Sequence, residues 1–370
     1  MADLFDPTSI QTMMLPNRFI RSATGTRMAH DDGSITSKLT KHIMDLVDGG
    51  VGLIVSGHAY IHPDGQASPR QLGIYSDPLL PGLTQLVDTV HKHSGTIVAQ
   101  LTHGGAHSNP ELTGVEAMAP SAIPAQEGKR IRFPGCRAMT QSDIHRVVDA
   151  FQAAARRAYD AGFDGIQLHG AHGYLLSEFL SPFFNKRTDE YGGNLQNRAR
   201  IVIDTYHAVR TEVGDNYPVM IKMNVVDLLV NGLTVNDGLE VAAIYASTGF
   251  DAIELSGGTS WGTLVLGDPQ RAICRNEPQE AYYSAVAQKL TSTLQTPIIL
   301  TGGIKSYTVA AQLIHDNTAD YIGLCRPLIR EPNLINRWKR GDTRKSGCLS
   351  DNACLFRVDQ KDLQCFHLTS

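Results

Sequence analysis

Eight short apolar runs, alternating with helix-period segments, predict an α/β chain closed into a (β/α)8 TIM barrel. The runs are FIRSAT (19–24), VGLIVSG (51–57), GTIVAQLTH (95–103), FDGIQLHG (163–170), PVMIKMN (218–224), FDAIELSGG (250–258), PIILTGG (297–303) and ADYIGLC (319–325). Their hydrophobicity is nearly continuous, as in parallel strands covered on both faces. Strands that alternate with helices form βαβ units, and this number of units fits a closed barrel rather than an open sheet. No G-x-G-x-x-G follows the first run, so the fingerprint of an open dinucleotide-binding sheet is missing.

The helix signal is clearest over 141–161, where Ile144, Val147, Val148, Phe151, Ala154, Ala155 and Ala158 step by three and four. Thr140 with Asp143 supplies a capping box at its start. Two segments fall outside the repeat. Residues 104–140, with NPELTG, APSAIPAQ and FPG, form a long loop after strand three, of a length typical of an active-site lid or of a disordered segment. Residues 341–370 form a short, cysteine-bearing C-terminal tail, which leaves 1–340 as the barrel.

Composition narrows the function. A length of 370 residues suits one large barrel or two medium domains. Hydrophobic residues at 42% and charged residues at 19% are ordinary globular usage, and a net charge of −4 steers the chain toward neither nucleic acid nor an anionic membrane. No run reaches the roughly 20 apolar residues of a transmembrane helix. The start, MADLFDPTSI, has neither a basic n-region nor an apolar h-region, so a cytoplasmic location is expected. The six cysteines, Cys136, Cys274, Cys325, Cys348, Cys354 and Cys365, are too few for a disulfide scaffold.

Barrel enzymes carry their chemistry at the C-terminal ends of the strands. In chain order those ends hold Ser22, Ala23, Thr24 and Gly25; Ser56, Gly57 and His58; Gln100 and then His103; His169, followed by His172 and Tyr174; Lys222; Ser256, Gly257 and Gly258; Gly302 and Gly303; Cys325 and Arg326. His169 and His172 are three apart, which suits a turn rather than one strand face. The other strand ends lack Asp or Glu, so no metal site is assigned. A lone histidine there would read as packing. Two imidazoles beside a phenol favour catalysis. Gly302 and Gly303 let backbone N–H groups approach a phosphate, and Arg326 is expected to clamp it in a two-pronged fashion. The glycines alone would mark only a tight turn. Lys222 at a barrel mouth requires an anionic partner, and Gln100 offers both a donor and an acceptor. A ligand with a polar heterocycle at one end and a phosphate at the other uses all of these groups.

HGAHGYLLSEFLSPFFNKRTDEYGG (169–193), with NRFIRSA (17–23), QLTHGG (100–105) and GLCRPLIREP (323–332), resembles the old yellow enzyme family of FMN-dependent ene-reductases. The resemblance covers about residues 3 to 340, and its pattern is similar to bacterial NADH:flavin oxidoreductases, including the barrel portion of 2,4-dienoyl-CoA reductase. It implies FMN at the barrel mouth and NAD(P)H as reductant, docking over the same ring face without a domain of its own. The implied ring contacts are Ala23, Thr24, Gly57, Gln100 and Lys222; the implied phosphate contacts are Gly303, Cys325 and Arg326, with Gly302 beside them. His169 and His172 match a pair that holds a substrate carbonyl oxygen, and Tyr174 matches a proton donor. The implied reaction reduces an activated C=C bond, with hydride from flavin N5.

Two departures stand out. Gly25 occupies a cofactor-binding position where many relatives carry a Thr or Cys that contacts the flavin and tunes its potential. In the tail, CLSDNAC places Asp351 where iron–sulfur relatives have a second cysteine, leaving Cys348, Cys354 and Cys365 as a degenerate set with a structural role, zinc or a labile cluster being the alternative. Other readings remain open at this stage: amine demethylation or dehydrogenation on the same cofactor, a flavin-binding protein without turnover, and, outside this class, a metal-dependent hydrolase. The partner is a small molecule, and the assembly is left open between monomer and homo-oligomer.

Overall fold

A computed structural model describes residues 3–127, 132–259, 261, 279–356 and 362–367. Cys274 and parts of the 104–140 loop and of the tail lie outside them.

Each predicted run contains a strand: β1 (Phe19–Arg21), β2 (Leu53–Val55), β3 (Ile97–Thr102), β4 (Gly165–Gly170), β5 (Val219–Asn224), β6 (Ala252–Ser256), β7 (Ile298–Thr301) and β8 (Tyr321–Leu324). Each pairs in parallel with the next, and β8 pairs with β1, so the barrel is closed. Closure leaves no unpaired barrel edge. The surrounding helices are α1 (Ser37–Asp48), α2 (Leu80–Lys92), α3 (Gln141–Asp160), α4 (Leu195–Val213), α5 (Val235–Thr248), α6 (Ser284–Thr291), α7 (Tyr307–His315) and α8 (Leu334–Lys339).

Helix α3 begins at the expected capping box. The Asp143 N–H donates to Thr140 Oγ1 at 3.1 Å, and the Thr140 N–H donates to Asp143 Oδ2 at 2.9 Å. Its three alanines and three larger apolar residues are buried, while Val148 is half-buried at the edge of the stripe.

Inside the barrel the alternation of each strand sorts residues by height. The lowest layer is apolar: Ile20, Val98, Met220, Ala252, Ile299 and Tyr321. A hairpin, Thr8–Ile10 with Met13–Leu15, closes this end by packing Ile10, Met13 and Leu15 onto that layer. Sequence reading assigned this segment no element, because three-residue strands carry too little periodicity to register.

The long loop is built rather than open over its described part. It holds a turn at Gly105–His107, a short helix at Pro110–Thr113 and a parallel pairing of Met118–Ala119 with Arg137–Ala138. Ala106, Ala117, Ala119, Phe133 and Cys136 form an apolar cluster there with Phe184 and Trp261. The tail folds back on the barrel. Arg326 Nη1 donates to Ser350 O at 3.0 Å and to Asn352 Oδ1 at 2.8 Å. Arg70 holds Asp362 at 2.9 Å, and Leu363 is buried.

Candidate active site

Two residues up each strand, the inward-facing layer turns polar. It consists of Ser22, Gln100, Gln167, Lys222, Glu254 and Thr301. These side chains share one network. Lys222 Nζ donates to Glu254 Oε1 at 2.9 Å and to Ser22 Oγ at 2.7 Å. Ser22 and Thr301 donate to the same carboxylate oxygen at 2.6 and 2.9 Å. Gln167 donates to Oε2 at 2.9 Å and accepts from Gln100 at 2.7 Å. Burial pushes the Glu254 carboxyl up. The Lys222 charge and these hydrogen bonds outweigh burial and hold it below its usual range. Glu254 is therefore a carboxylate at neutral pH.

Above that layer lie the imidazoles. The His169 ring lies 5.2 Å from His172, 4.9 Å from Tyr174 and 6.1 Å from His58, which in turn lies 5.3 Å from Tyr174. His172 is held in the left-handed region at φ 69°. Its N–H donates to Asn224 Oδ1 at 3.1 Å, and its Nε2 lies 2.7 Å from Ser256 Oγ. These two contacts over-determine a costly backbone conformation, as is usual at functional sites. His169 Nδ1 is buried with no hydrogen-bond partner among the described residues. Burial, then mutual repulsion among His172, His58 and Lys222, keeps the His169 imidazole neutral. Burial raises the Tyr174 phenol, and the Arg27 charge opposes that rise.

Beside these rings opens a cleft with about 640 Å³ of empty space, its solvent mouth included. Lys222, His172 and Ser256 line one end; Gly302, Gly303 and Lys305 line the other. Ala23, Cys325 and Arg326 also line it. A Cβ on Gly303 would lie 2.7 Å from Tyr282 Cε1, and its φ is +73°, so only glycine fits this approach.

Several expectations change here. Thr24 Oγ1 is turned to Cys325 Sγ at 3.0 Å. Gln100 is 1% exposed, and its amide donates to Gln167, which in turn donates to Glu254. Arg326 lines the cleft and has Nη1 committed to the tail, bonded to Ser350 O and Asn352 Oδ1. Lys305 stands beside the glycines, with Nζ 3.1 Å from Ser350 Oγ. The anionic partner of Lys222 is internal, and the reading that no carboxylate stands near the strand ends missed Glu254. Its position two residues before Ser256 could have revealed it as inward-facing. No sequence signal pointed to Tyr282 or Tyr283. Gly57 keeps the first two strand ends close, since a Cβ there would lie 2.9 Å from Thr24 O.

His103 turns away from the site. Its Nε2 lies 2.9 Å from Asp64, which also binds His62 at 2.6 Å and Arg146 at 2.7 Å. In the tail, Cys348, Cys354 and Cys365 line one small cavity, and Asp351 pairs with His367 at 2.5 Å. Among the described residues, no group of three or more His, Cys, Asp or Glu is arranged to hold a metal ion.

Burial holds three imidazoles, His42, His58 and His107, down to about 4. The unfolded chain protonates them near 6.5 and so binds more protons below that pH. Stability is therefore expected to fall as pH drops from 6.5 toward 4, by roughly 1–2 kcal/mol per histidine at pH 5. Urea midpoints at pH 7 and pH 5 test this, and equal midpoints would contradict it.

The site thus sits in a closed parallel barrel, with a lysine–carboxylate pair below the mouth, buried imidazoles above it and a glycine-lined cleft beside them. The sequence model of the NADH:flavin oxidoreductase / NADH oxidase family matches residues 3–345, and the chain belongs to this FMN-dependent family, which includes old yellow enzyme. It is 36% identical to an NADPH dehydrogenase of Geobacillus sp. (strain WCH70), over 89% of this chain and 91% of that one. It is 34% identical to a metal reductase of Desulforamulus reducens, over 97% of this chain and 52% of that protein. An NADH oxidase of Thermoanaerobacter brockii matches at 29% identity over 95% of this chain and 53% of its own length. The chain thus spans about half the length of these last two relatives. Among solved structures, 2-naphthoyl-CoA reductase in complex with 2-naphthoyl-CoA superimposes with a TM-score of 0.88 at 27% identity, covering 96% of this chain and 55% of that one. No helix among the described residues is long and apolar enough to cross a membrane.

Proposed function

We propose that this chain is an FMN-dependent NAD(P)H oxidoreductase that reduces the activated C=C bond of α,β-unsaturated carbonyls. The observation that carries this reading is His169 Nδ1, buried and without a partner among the described residues, beside His172 and the Tyr174 phenol. An orphaned polar atom of this kind costs about 1–3 kcal/mol unless a ligand satisfies it. The residues fit FMN at both ends. The Gly302–Gly303 approach and Lys305 suit a phosphate, and Lys222 suits the ring edge that becomes anionic on reduction. Bound FMN would supply hydride transfer between NAD(P)H and the substrate.

The chain's own groups do the rest. Hydride arriving at the substrate β-carbon pushes negative charge onto the carbonyl oxygen. His169 and His172, neutral and fixed, stabilise that charge as donors, and losing one such donor typically costs about 3 kcal/mol. Tyr174 gives its proton to the α-carbon. The histidine pair favours a carbonyl over an amine substrate, because neutral donors offer nothing to a cation.

The test is a spectrum of the full-length chain supplied with FMN, before and after a para-substituted phenol, followed by cyclohexenone turnover with NADPH. A flavin spectrum, a long-wavelength charge-transfer band and turnover are expected. Retained FMN without band or turnover would reject the ene-reductase pocket. Gly303→Ala is expected to weaken FMN retention at least tenfold, because its Cβ would press on Tyr282 in a left-handed backbone. Fluorescence titration of the refilled protein measures this, and unchanged affinity would remove Gly303 from the phosphate end.

A further inference from the structure

We infer that His58 is a third fixed hydrogen-bond donor of this site, its Nε2–H binding the polar edge of the flavin ring beside Gly25. This rests on the FMN reading above and goes beyond it. Gln71, beside His58, is buried. Its Oε1 accepts the N–H groups of Ala67 at 2.9 Å and Ser68 at 3.3 Å, which settles which end of the amide carries oxygen. The NH2 end therefore faces His58. It donates to His58 O at 3.1 Å and lies 3.3 Å from His58 Nδ1. An Nδ1 that accepts a hydrogen bond carries no proton, so the proton of the neutral imidazole sits on Nε2. Burial, with Lys222 and Arg27 nearby, keeps the ring neutral at physiological pH.

The direction of that N–H follows from Gly25. A Cβ built on Gly25 would have His58 Nε2 as its nearest neighbour, at 3.2 Å. The imidazole thus reaches the space that a side chain at position 25 would fill. The ring also lies 5.3 Å from Tyr174 and 6.1 Å from His169, so its donor shares the mouth with them. Gly25 and His58 are complementary: the missing side chain admits the ring, and the ring returns a donor to the same place. Ala23, Gly25, Gly57 and Lys222 would hold the ring, and His58 Nε2–H would then donate to its polar edge. Reduction adds electron density to that edge, and a fixed donor binds the reduced form more tightly than the oxidised one. His58 therefore raises the reduction potential of the bound cofactor.

The test uses the FMN-loaded full chain, with the midpoint potential measured by equilibration against a reference dye. His58→Phe keeps a flat ring and removes the donor. His58→Leu removes both, and either variant that folds carries the test. The expected result is about a tenfold loss in affinity for reduced relative to oxidised FMN, which for a two-electron couple is about 30 mV more negative. His58→Gln, which keeps an N–H donor, is expected to return at least half of the shift. A donor-less variant that retains FMN at the wild-type potential overturns the inference and leaves the FMN reading intact. A wild-type chain that takes up no FMN overturns both.

Discussion

Tyr174→Phe is expected to slow enone reduction by about 10²–10⁴-fold, the usual contribution of a positioned general acid, while NADPH still reduces the protein at close to its normal rate. The two half-reactions separate because only the second consumes a proton from the chain. Phe keeps the ring that packs 4.9 Å from His169 and 5.3 Å from His58, so the neighbouring imidazoles keep their places. The backbone at this position is held independently of the side chain, since the Tyr174 carbonyl accepts the Glu178 N–H at 2.9 Å as the helix Leu175–Leu180 begins. Folding stability should therefore change little. Stopped-flow traces of each half-reaction decide the matter. If enone reduction proceeds at the wild-type rate, water delivers the proton and the phenol only shapes the pocket.

Lys222→Met is expected to destabilise the fold by about 3–5 kcal/mol, the range for removing one partner of a buried ion pair. Glu254 is fully buried, and without Lys222 it keeps its hydrogen bonds from Ser22, Gln167 and Thr301 but loses the cation that makes ionisation tolerable. Its carboxyl then shifts above the unfolded value. A carboxyl raised in this way costs stability above the unfolded pKa, so the variant's deficit relative to the wild type should shrink as pH falls toward about 4. The wild type behaves in the opposite sense, because its Glu254 lies below the usual range and contributes stability that is lost on acidification. Lys222→Met with Glu254→Leu removes both charges and should recover much of the loss. Urea unfolding of the two single variants and the double variant gives the coupling energy. Additive losses would mean that the pair does not act as a unit.

The barrel itself was legible in the amino-acid order. Each strand run is short, apolar and separated from the next by a helix, and burial on both faces requires that composition whatever the neighbours are. The helix from Gln141 was equally plain, because its cap and its apolar stripe are local features. Strand-end chemistry was legible in part, since the strand direction places His169, His172, Lys222, Gly302 and Gly303 at one end. The side-chain partners of those residues were not. Glu254 reads as one polar residue in an apolar run until closure of the barrel sets β5 beside β6 and brings it to Lys222. Arg326 reads as an anion-binding cation at a strand end, and its Nη1 contacts to Ser350 and Asn352 of the tail, 24 and 26 residues on, were not legible. Gly25 reads as a lost contact until His58 is seen 3.2 Å from where its Cβ would stand.

The barrel, the end that holds the site and the residue types gathered there follow from periodicity and chain direction. The pairings arise from long-range packing, since a buried charge or imidazole takes its state from whatever that packing sets beside it.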